Sequence, residues 1–552
     1  YIGGRMGRPE KAKERMMKPA PHVLFPIGEA GGKVRSIIKA YRKAKERERY
    51  AGEGLRVQVA RLKCPSCDTI HITNKCPSCG AKTVPERICP RCGKTVEGEK
   101  CLGCNYTANE YDMRAIKFTE LMDQAIDRCK GLPDEMKGVK GMISDAKIPE
   151  PLEKGILRAR HGVYVFRDGT IRFDATDAPL THFYPREIGV SVERLKELGY
   201  THDAEGKELV SGDQLLELKP QDILLADRGA EYFLQVSKFV DDLLVYLYGL
   251  PPYYNAESRE DLLGELFITI APHTSCGVLG RLIGFTHARV GYAHPYTISA
   301  RRRNADGDED GAMLLLDALV NFSKKFLPGA RGGHMDAALV MTTLINPSEI
   351  DDEAHSMEAC KEYPLELYEA AERFASPSEV KIERVKDRLG TPEQNFNLHC
   401  THSASDINDG PIETRYVQLG SMKEKVESQM ELYSRIRAVD REDAAERVIS
   451  SHFLPDLYGN LRAFSRQTLR CVDCNQKYRR APLSGKCRRC GGKLVLTISR
   501  GSISKYLEIS QQMTEKYSLP NYLKQRLKLL EKEINSIFED ETNKQFSLAE
   551  FM

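Results

Sequence analysis

The chain has 552 residues, 41 % of them hydrophobic and 29 % charged, with a formal net charge of +3. That length calls for several domains of about 100–200 residues each, and the near-neutral balance excludes a uniformly basic nucleic-acid binder, so such contacts have to come from local patches. No uninterrupted apolar run approaches the ~18–20 residues of a membrane span, and no secretory signal is expected ahead of the first domain.

Residues 1–60 open on Tyr1 rather than Met, in a Gly- and Arg-rich segment that is expected to be a piece of a longer or processed polypeptide. A basic run (RMGRPEKAKERMMK, 5–18) leads into PHVLFPIGEAGGKVRSI, whose short apolar stretches cut by Pro and Gly predict strands and turns of a compact β unit. The basic run is either a solvated face or, with Gly3, Gly4 and Gly7 letting backbone come close, a phosphate contact. Further basic patches lie at 33–49, 301–303 and 470–490.

Residues 61–108 carry the plainest local signal. Cys64-x-x-Cys67 and Cys76-x-x-Cys79 are repeated 25 residues later as Cys89-x-x-Cys92 and Cys101-x-x-Cys104, an internal duplication. A third set, Cys471-x-x-Cys474 and Cys487-x-x-Cys490, falls in residues 461–500. Paired knuckles of this kind let four thiolates meet a tetrahedral Zn²⁺ at about 2.3 Å, with no open position for chemistry, so the three sites are read as structural. Such a site supplies on the order of 10 kcal/mol to a module with little core of its own. Disulfides and iron–sulfur ligation are the rival readings, the first disfavoured by the lack of any sign of secretion. Cys129, Cys276, Cys360 and Cys400 share no spacing and default to small buried hydrophobes, although His399 and His402 flank Cys400.

Residues 109–265 read as mixed α/β material, an insertion or clamp-like region. IRFDATDAPLTHFYP alternates like a strand, SVERLKELGY predicts a short helix, and 231–250 carries an apolar face at helical spacing. In residues 266–345, apolar runs broken by Gly277, Gly280, Gly284 and Gly291 suit a small β-barrel whose turns approach a ligand. His273, His287 and His294 are read as structural, and RGGHMDAALVMTT as a Gly turn leading into a strand.

Within that region, SARRRNADGDEDGAMLLLD (299–317) sets Asn304, Asp306, Asp308 and Asp310 at alternate positions after three arginines. On extended backbone Asp306 and Asp308 project to one side, and two carboxylates on one patch repel unless a cation sits between them. Hard oxygen ligands suit Mg²⁺, and Arg301, Arg302 and Arg303 point to a phosphate as the other partner. The same letters resemble a calcium loop, against which stand Leu314 at the ninth position, Asp317 rather than Glu at the twelfth, and an expected helix over 311–325. A merely solvated acidic turn is the third reading.

Residues 346–460 show helical patterns and high charge, and 501–544 predict C-terminal helices and a linker, with Leu523, Leu527, Leu530, Ile534 and Ile537 on one face. In the last stretch, 545–552, Gln545, Leu548 and Phe551 stand three apart, the form of a sliding-clamp (PCNA) binding peptide, with Met552 where a second aromatic is usual.

GRMGRPEKAKER, HTSCGVLGRLIGF, HPYTISARRRNADGDED, RGGHMDA, SHFLPDLYGNLRAFSRQTLRC and YRRAPLSGKCRRCGGKL together resemble the large catalytic subunit of the archaeal family D DNA polymerases, over its C-terminal portion. The resemblance implies a multidomain α+β fold: a double-psi β-barrel polymerase core like that of multisubunit RNA polymerases, four-cysteine zinc-ribbon modules and a helical C-terminal region. Residues 1–60 would belong to the first barrel and 266–345 to the second. Asn304, Asp306 and Asp308 match the catalytic motif, and Glu10, Lys11 and Lys13 the basic segment offered by the opposing barrel; the family usually has Cys where this chain has Ala305. Arg8 and Arg301–Arg303 would meet substrate or nucleic acid.

The implied reaction is template-directed transfer of deoxynucleotides to a primer 3′-hydroxyl with two Mg²⁺ ions. The implied partners are primer–template DNA, the small exonuclease subunit, the sliding clamp and the N-terminal part of the large subunit, in the archaeal cytoplasm at the nucleoid. The rivals are an RNA-polymerase- or primase-like nucleotidyltransferase and a non-catalytic zinc-ribbon scaffold bridging clamp and DNA.

Overall fold

Short runs rich in Ile, Leu and Phe (DILLA, LFITI and CGVLGRLIGFT) form three strands of the main sheet, and AKE, FDATDAP, VGYA and EDGAML belong to the same sheet although they hold few such residues. In the computed structural model its strands are β1 (Ala12–Glu14), β2 (Phe173–Pro179), β3 (Asp222–Ala226), β4 (Leu266–Ile270), β5 (Cys276–Thr286), β6 (Val290–Ala293), β7 (Glu309–Leu314) and β8 (Val340–Thr342), the last paired in parallel with β5. The structure describes every residue except 1–10, 52–53, 305–306, 361, 397, 399–405, 410–411, 413–414, 438, 472–475, 489–490, 497, 499 and 539–552.

Strand β2 pairs in parallel with β6, β6 antiparallel with β3, and β3 in parallel with β5. From there β5 pairs antiparallel with β4, β4 with β7, and β7 with β2. The pairing therefore returns to its starting strand, and these six strands close into a barrel without free edges. β1 adds to β2 at Ala12↔Ala175, on the edge that β6 occupies further along from Thr176.

Helix Asp227–Leu243 leaves β3 directly and brings Phe233 to 6.2 Å from Phe173 and 4.9 Å from Phe267. The helix can come this close because residue 229 is Gly: a Cβ there would stand 3.1 Å from the Phe173 ring. Offset aromatic contacts of this kind add about 0.5–1.5 kcal/mol each beyond the area they bury.

Three sequence expectations are corrected here. A single strand-rich barrel over 266–345 is too narrow, because two strands of the ring, β2 and β3, come from the stretch read as an insertion. The helix expected over 311–325 is only Leu315–Asn321, since Glu309–Leu314 is a strand hydrogen-bonded on both sides, to β4 and β2. Residues 1–60 are not only strands and turns: Ile37–Ala51 is a helix that buries Ile37, Ile38, Ala40, Tyr41 and Ala44 at helical spacing. The helices expected from SVERLKELGY and from 231–250 are present as Val192–Glu197 and within Asp227–Leu243.

Strands Leu55–Ala60 and Tyr111–Ile116 pair antiparallel and form a stem from which the cysteine segment projects. Its four knuckles share one backbone form: the amide four residues after the first cysteine donates to that cysteine's carbonyl at 2.8–3.0 Å in each case. That fourth residue is left-handed every time, Asp68 (φ 57°), Gly80 (72°), Gly93 (71°) and Asn105 (55°), and only Gly, Asn and Asp take this conformation cheaply. Cys64, Cys67, Cys76 and Cys79 bring their sulfurs within 4.8 Å of one another, as do Cys89, Cys92, Cys101 and Cys104. The Cys64–Cys79 and Cys92–Cys101 sulfurs lie 3.5 and 3.8 Å apart, close to the ~3.8 Å edge of a tetrahedron with ~2.3 Å zinc–sulfur arms. Both clusters could hold zinc. Of the third set, Cys471 and Cys487 are described and Cys474 and Cys490 lie outside the described residues. Cys487 begins a knuckle of the same form, with Gly491 left-handed at φ 73°.

The described residues between 11 and 412 and those between 415 and 538 form two compact units. In the second, helices Met422–Arg435, Arg441–Val448, Leu454–Arg466, Leu507–Lys516 and Asn521–Phe538 share one core, where Phe453 stacks on Tyr506 at 4.7 Å. Leu523, Leu527, Leu530 and Ile534 are buried as expected, whereas Ile537 is exposed near the helix end. Among the described residues no helix is long and apolar enough to cross a membrane.

The first unit also contains a fully buried bidentate ion pair, with Arg158 Nη1 and Nη2 donating to Glu150 at 2.9 and 3.0 Å, while the Leu24 amide donates to the same carboxylate at 2.7 Å. Arg158→Met leaves a buried carboxylate unpaired and is expected to lower the stability of this unit by about 3–5 kcal/mol, read as the shift of its denaturant transition. Cys64→Ser is expected to remove one zinc equivalent by metal analysis and to deprotect the amides of 64–81, leaving the barrel's amides protected; unchanged zinc content would contradict the four-sulfur assignment.

Candidate active site at the closure of the barrel

Helix Pro295–Ala300 is capped by His294, whose Nδ1 accepts from the Tyr296 amide at 3.1 Å, and it delivers the chain to Arg301. The acidic stretch then runs to β7, the strand that closes the ring. Arg302 is left-handed (φ 56°), and Gly307 sits at φ 109°, where a side chain would be strained. The loop is closed by the Asn304 amide, which donates to Asp308 Oδ2 at 3.2 Å. It is tied to the barrel where the Asp177 amide of β2 donates to the Asp308 carbonyl at 2.8 Å.

The three arginines have three different places. Arg301, expected to meet nucleic acid, is instead buried: its side chain is 2 % exposed, Nη2 donates to Asp177 at 3.0 Å, and Nε makes a close ion contact with Asp310 at 2.7 Å. Burial pushes the Asp177 carboxyl well above the usual carboxylate range; Arg301 opposes this and Asp310 adds to it. Arg302 is exposed. Arg303 lies between, with Nη1 3.3 Å from Asp308 Oδ2, Nη2 3.4 Å from the Pro272 carbonyl and Nε 3.7 Å from Asp310 Oδ1. The calcium-loop reading falls on this geometry. Asp310 is committed to arginines, and Asp317 is wholly buried, accepting from the Ile171 amide and the Asn321 side chain. Burial pushes the Asp317 carboxyl up to about 6.

The basic segment reaches the same place from the other edge of β2. The Lys11 amide donates to Thr176 Oγ1 at 3.1 Å and the Thr176 amide to the Lys11 carbonyl at 2.8 Å. Lys11 Nζ then meets Glu309 at 2.7 Å, so the basic and acidic segments stand one strand apart, held through Thr176. Lys13 is exposed, opposite Asp174. Asp174 is buried beneath Arg15, and burial pushes its carboxyl up to about 6 against the pull of Arg15 and Arg172. Strand alternation puts Lys11, Thr176 and Glu309 on one face of the sheet and Asp310 on the other. The structure thus brings Lys11, Asn304, Asp308 and Arg303 to one end of the barrel and takes Arg301 out of reach of any ligand. Arg8, Glu10 and Asp306 lie outside the described residues, as do Gln545, Leu548 and Phe551 of the clamp-type peptide. Asp177, Thr176 and Glu309 were not singled out in the sequence; Asp177 is 124 residues from Arg301, and no local pattern signals that pairing.

A carboxylate at the rim, held by a backbone amide and a neighbouring guanidinium, offers hard oxygen to a divalent cation. Asp308 fits that role, with its side chain 13 % exposed, and Asp310, at 3 %, does not.

The chain matches two family models: residues 129–425 match "DNA polymerase II large subunit DP2, catalytic domain", and residues 1–98 match "DNA polymerase II large subunit DP2, central domain". It is 54 % identical over 550 residues to the DNA polymerase II large subunit of Pyrococcus furiosus, covering 98 % of this chain and 43 % of that protein. It is 54 % identical over 555 residues to the same subunit of Archaeoglobus fulgidus, covering 100 % of this chain and 48 % of the relative. For Natronomonas pharaonis the identity is 49 % over 561 residues, with 100 % and 47 % covered. The chain spans a little under half the length of the curated relatives it matches. On these matches, the chain belongs to the family of the DNA polymerase II large subunit DP2.

Proposed function

We propose that this chain carries the catalytic centre of a DNA-directed DNA polymerase, which transfers deoxynucleotides to a primer 3′-hydroxyl under the direction of a template. The observation that carries the reading is the loop Asn304–Asp308, anchored to β2 at the end of a closed six-stranded barrel with a lysine strand on the far edge of β2. The names of the matched relatives support it. We read the ring as a double-psi β-barrel.

Asp306 and Asp308 would hold Mg²⁺. When bound, two such ions lower the pKa of the attacking hydroxyl and neutralise charge on the departing pyrophosphate. Asn304 orients the loop through the hydrogen bond that its backbone N–H donates to Asp308 Oδ2, and offers its exposed side chain to substrate. Lys11, Lys13 and Glu10 form the opposing basic segment, and Arg8, Arg302 and Arg303 complement phosphate charge as it develops. The two four-cysteine modules, with a third around Cys471, Cys474, Cys487 and Cys490, hold duplex backbone without reading bases. Gln545, Leu548 and Phe551 dock a sliding clamp. A small subunit supplies 3′–5′ exonuclease activity, and the remaining part of the large subunit completes the assembly at the archaeal nucleoid.

The test uses the chain together with the polypeptides that co-purify with it, on a primed template with Mg²⁺. Asp306→Ala and Asp308→Ala are each expected to lower primer extension by at least about 10³-fold, because each removes charge stabilisation made in the transition state. DNA affinity should stay within about threefold, since phosphate contacts elsewhere dominate binding. Full extension by either variant removes the assignment. Preference for ribonucleotides on the same template would favour an RNA-polymerase-like enzyme.

A further inference from the structure

Arg303 is held differently from its neighbour. Arg301 is nearly wholly buried with contacts of 2.7 and 3.0 Å. The contacts of Arg303 are 3.3, 3.4 and 3.7 Å, and its side chain is 21 % exposed. Charge-assisted N–H···O bonds settle at about 2.7–2.9 Å, so no contact of Arg303 is at its optimum. Its Nε, like that of Arg301, is buried without a hydrogen-bond partner, so the difference between the two lies in the contact lengths and the exposure. Beside Arg303 opens a cavity of about 610 Å³, which it lines together with Leu180, Tyr292, Ile298, Glu353 and Asp406.

Those distances describe a guanidinium standing beside Asp308 without being locked there. A divalent cation on the same carboxylate would lie a few ångströms from a like charge, an arrangement that costs energy unless the guanidinium moves. A planar fork of five donors has an obvious second partner next to such an ion, the phosphate oxygens of a nucleotide.

We propose that Arg303 exchanges partners: it neutralises Asp308 while the acidic loop is without a divalent ion, and turns to nucleotide phosphate once the ion is held. Arg301, locked between Asp177 and Asp310, keeps the loop in place while this happens. The first half of the proposal concerns only Asp308 and a cation; the second rests on the polymerase reading above.

The exchange makes two effects of one substitution run in opposite directions, which a packing role for Arg303 would not produce. The assay uses the chain with its co-purifying polypeptides, zinc-loaded, with Mn²⁺ as the probe; free Mn²⁺ is read by electron paramagnetic resonance without nucleotide. Asp308→Ala serves to identify the site's share of the bound ion. Arg303→Gln is expected to bind Mn²⁺ roughly three- to tenfold more tightly, the scale of one like charge removed from a partly exposed site. The same variant should raise the deoxynucleotide KM roughly tenfold or more at saturating Mn²⁺, through loss of the bidentate phosphate contact.

Arg303→Lys keeps the charge and loses the fork, so Mn²⁺ affinity should stay within about twofold while KM still rises. Arg303→Met is the second neutral variant should the glutamine form fail to fold. Unchanged or weaker Mn²⁺ binding in the neutral variants overturns the exchange. Tighter Mn²⁺ binding with an unchanged KM overturns its phosphate half. A wild-type complex that holds Mn²⁺ at Asp308 but incorporates no nucleotide removes the polymerase reading, and the metal half is then judged on Mn²⁺ alone.

Discussion

A buried guanidinium between two buried carboxylates is the constraint on which the site depends. Arg301 reaches Asp177 on β2 and Asp310 on β7, the two strands whose pairing closes the barrel. Three charges out of water are costly, and such groups persist only when each is met at close range. Burial pushes the Asp177 carboxyl up and Arg301 opposes that, so the guanidinium is met by a carboxylate on either side. The contact is a weak argument for stability and a strong one for register. A one-residue slip of β7 against β2 would turn Asp310 to the opposite face and replace it with Glu309 or Gly311.

The same register sets out the chemistry around it. With Asp310 turned inwards, Glu309 faces outwards to Lys11, and Asp308, the last residue before the strand, is left at the rim with its carbonyl tied to Asp177. Gly311, next along, leaves room for the Asp174 carboxylate, whose Oδ1 would stand 3.1 Å from a Cβ at that position. Each residue of DEDG thus has its own surroundings because period-two alternation is imposed on a strand paired on both sides. Four acidic or small letters in a row look equivalent in a sequence; in the barrel they are not.

Legibility followed the range of the interactions. The four-cysteine modules were readable because their information is local: a period of 25, fixed knuckle spacing, and Asp, Gly, Gly or Asn wherever the knuckle needs left-handed backbone. The amphipathic helix Asn521–Phe538 was readable for the same reason, apart from Ile537 near its end. The barrel was only half readable. Its strands β4 to β7 lie within 49 residues of one another, 266–314, but β2 and β3 arrive from 173–226 and β1 from residue 12, and no local pattern announces those pairings. The stretch GAMLLL could be helix or strand by composition; partners on both edges decided for strand. Arg301 was misread for a related reason. Three adjacent arginines suggest one basic surface, but the helix end and the left-handed turn at Arg302 send them in different directions.

In the exchange proposed above, that division of the arginines lets one short segment be both rigid and responsive. A loop that receives a cation must keep its shape before and after binding, so its anchor cannot be the charge that the cation displaces. Were Arg301 the only arginine present, it would have to serve both roles, and neutralising Asp308 by a metal would loosen the fold beneath it. The structure separates the roles by depth: Arg301 at 2 % exposure ties the strands, and Arg303 at 21 % meets the rim carboxylate through longer contacts. Arg301 holds its two carboxylates at 2.7 and 3.0 Å, closer than any partner of Arg303, so an ion arriving at the rim competes first with the longer Arg303–Asp308 contact of 3.3 Å. In the proposed exchange, two residues along the chain separate Arg301, the charge that ties the strands, from Arg303, the charge that would answer to what the site binds.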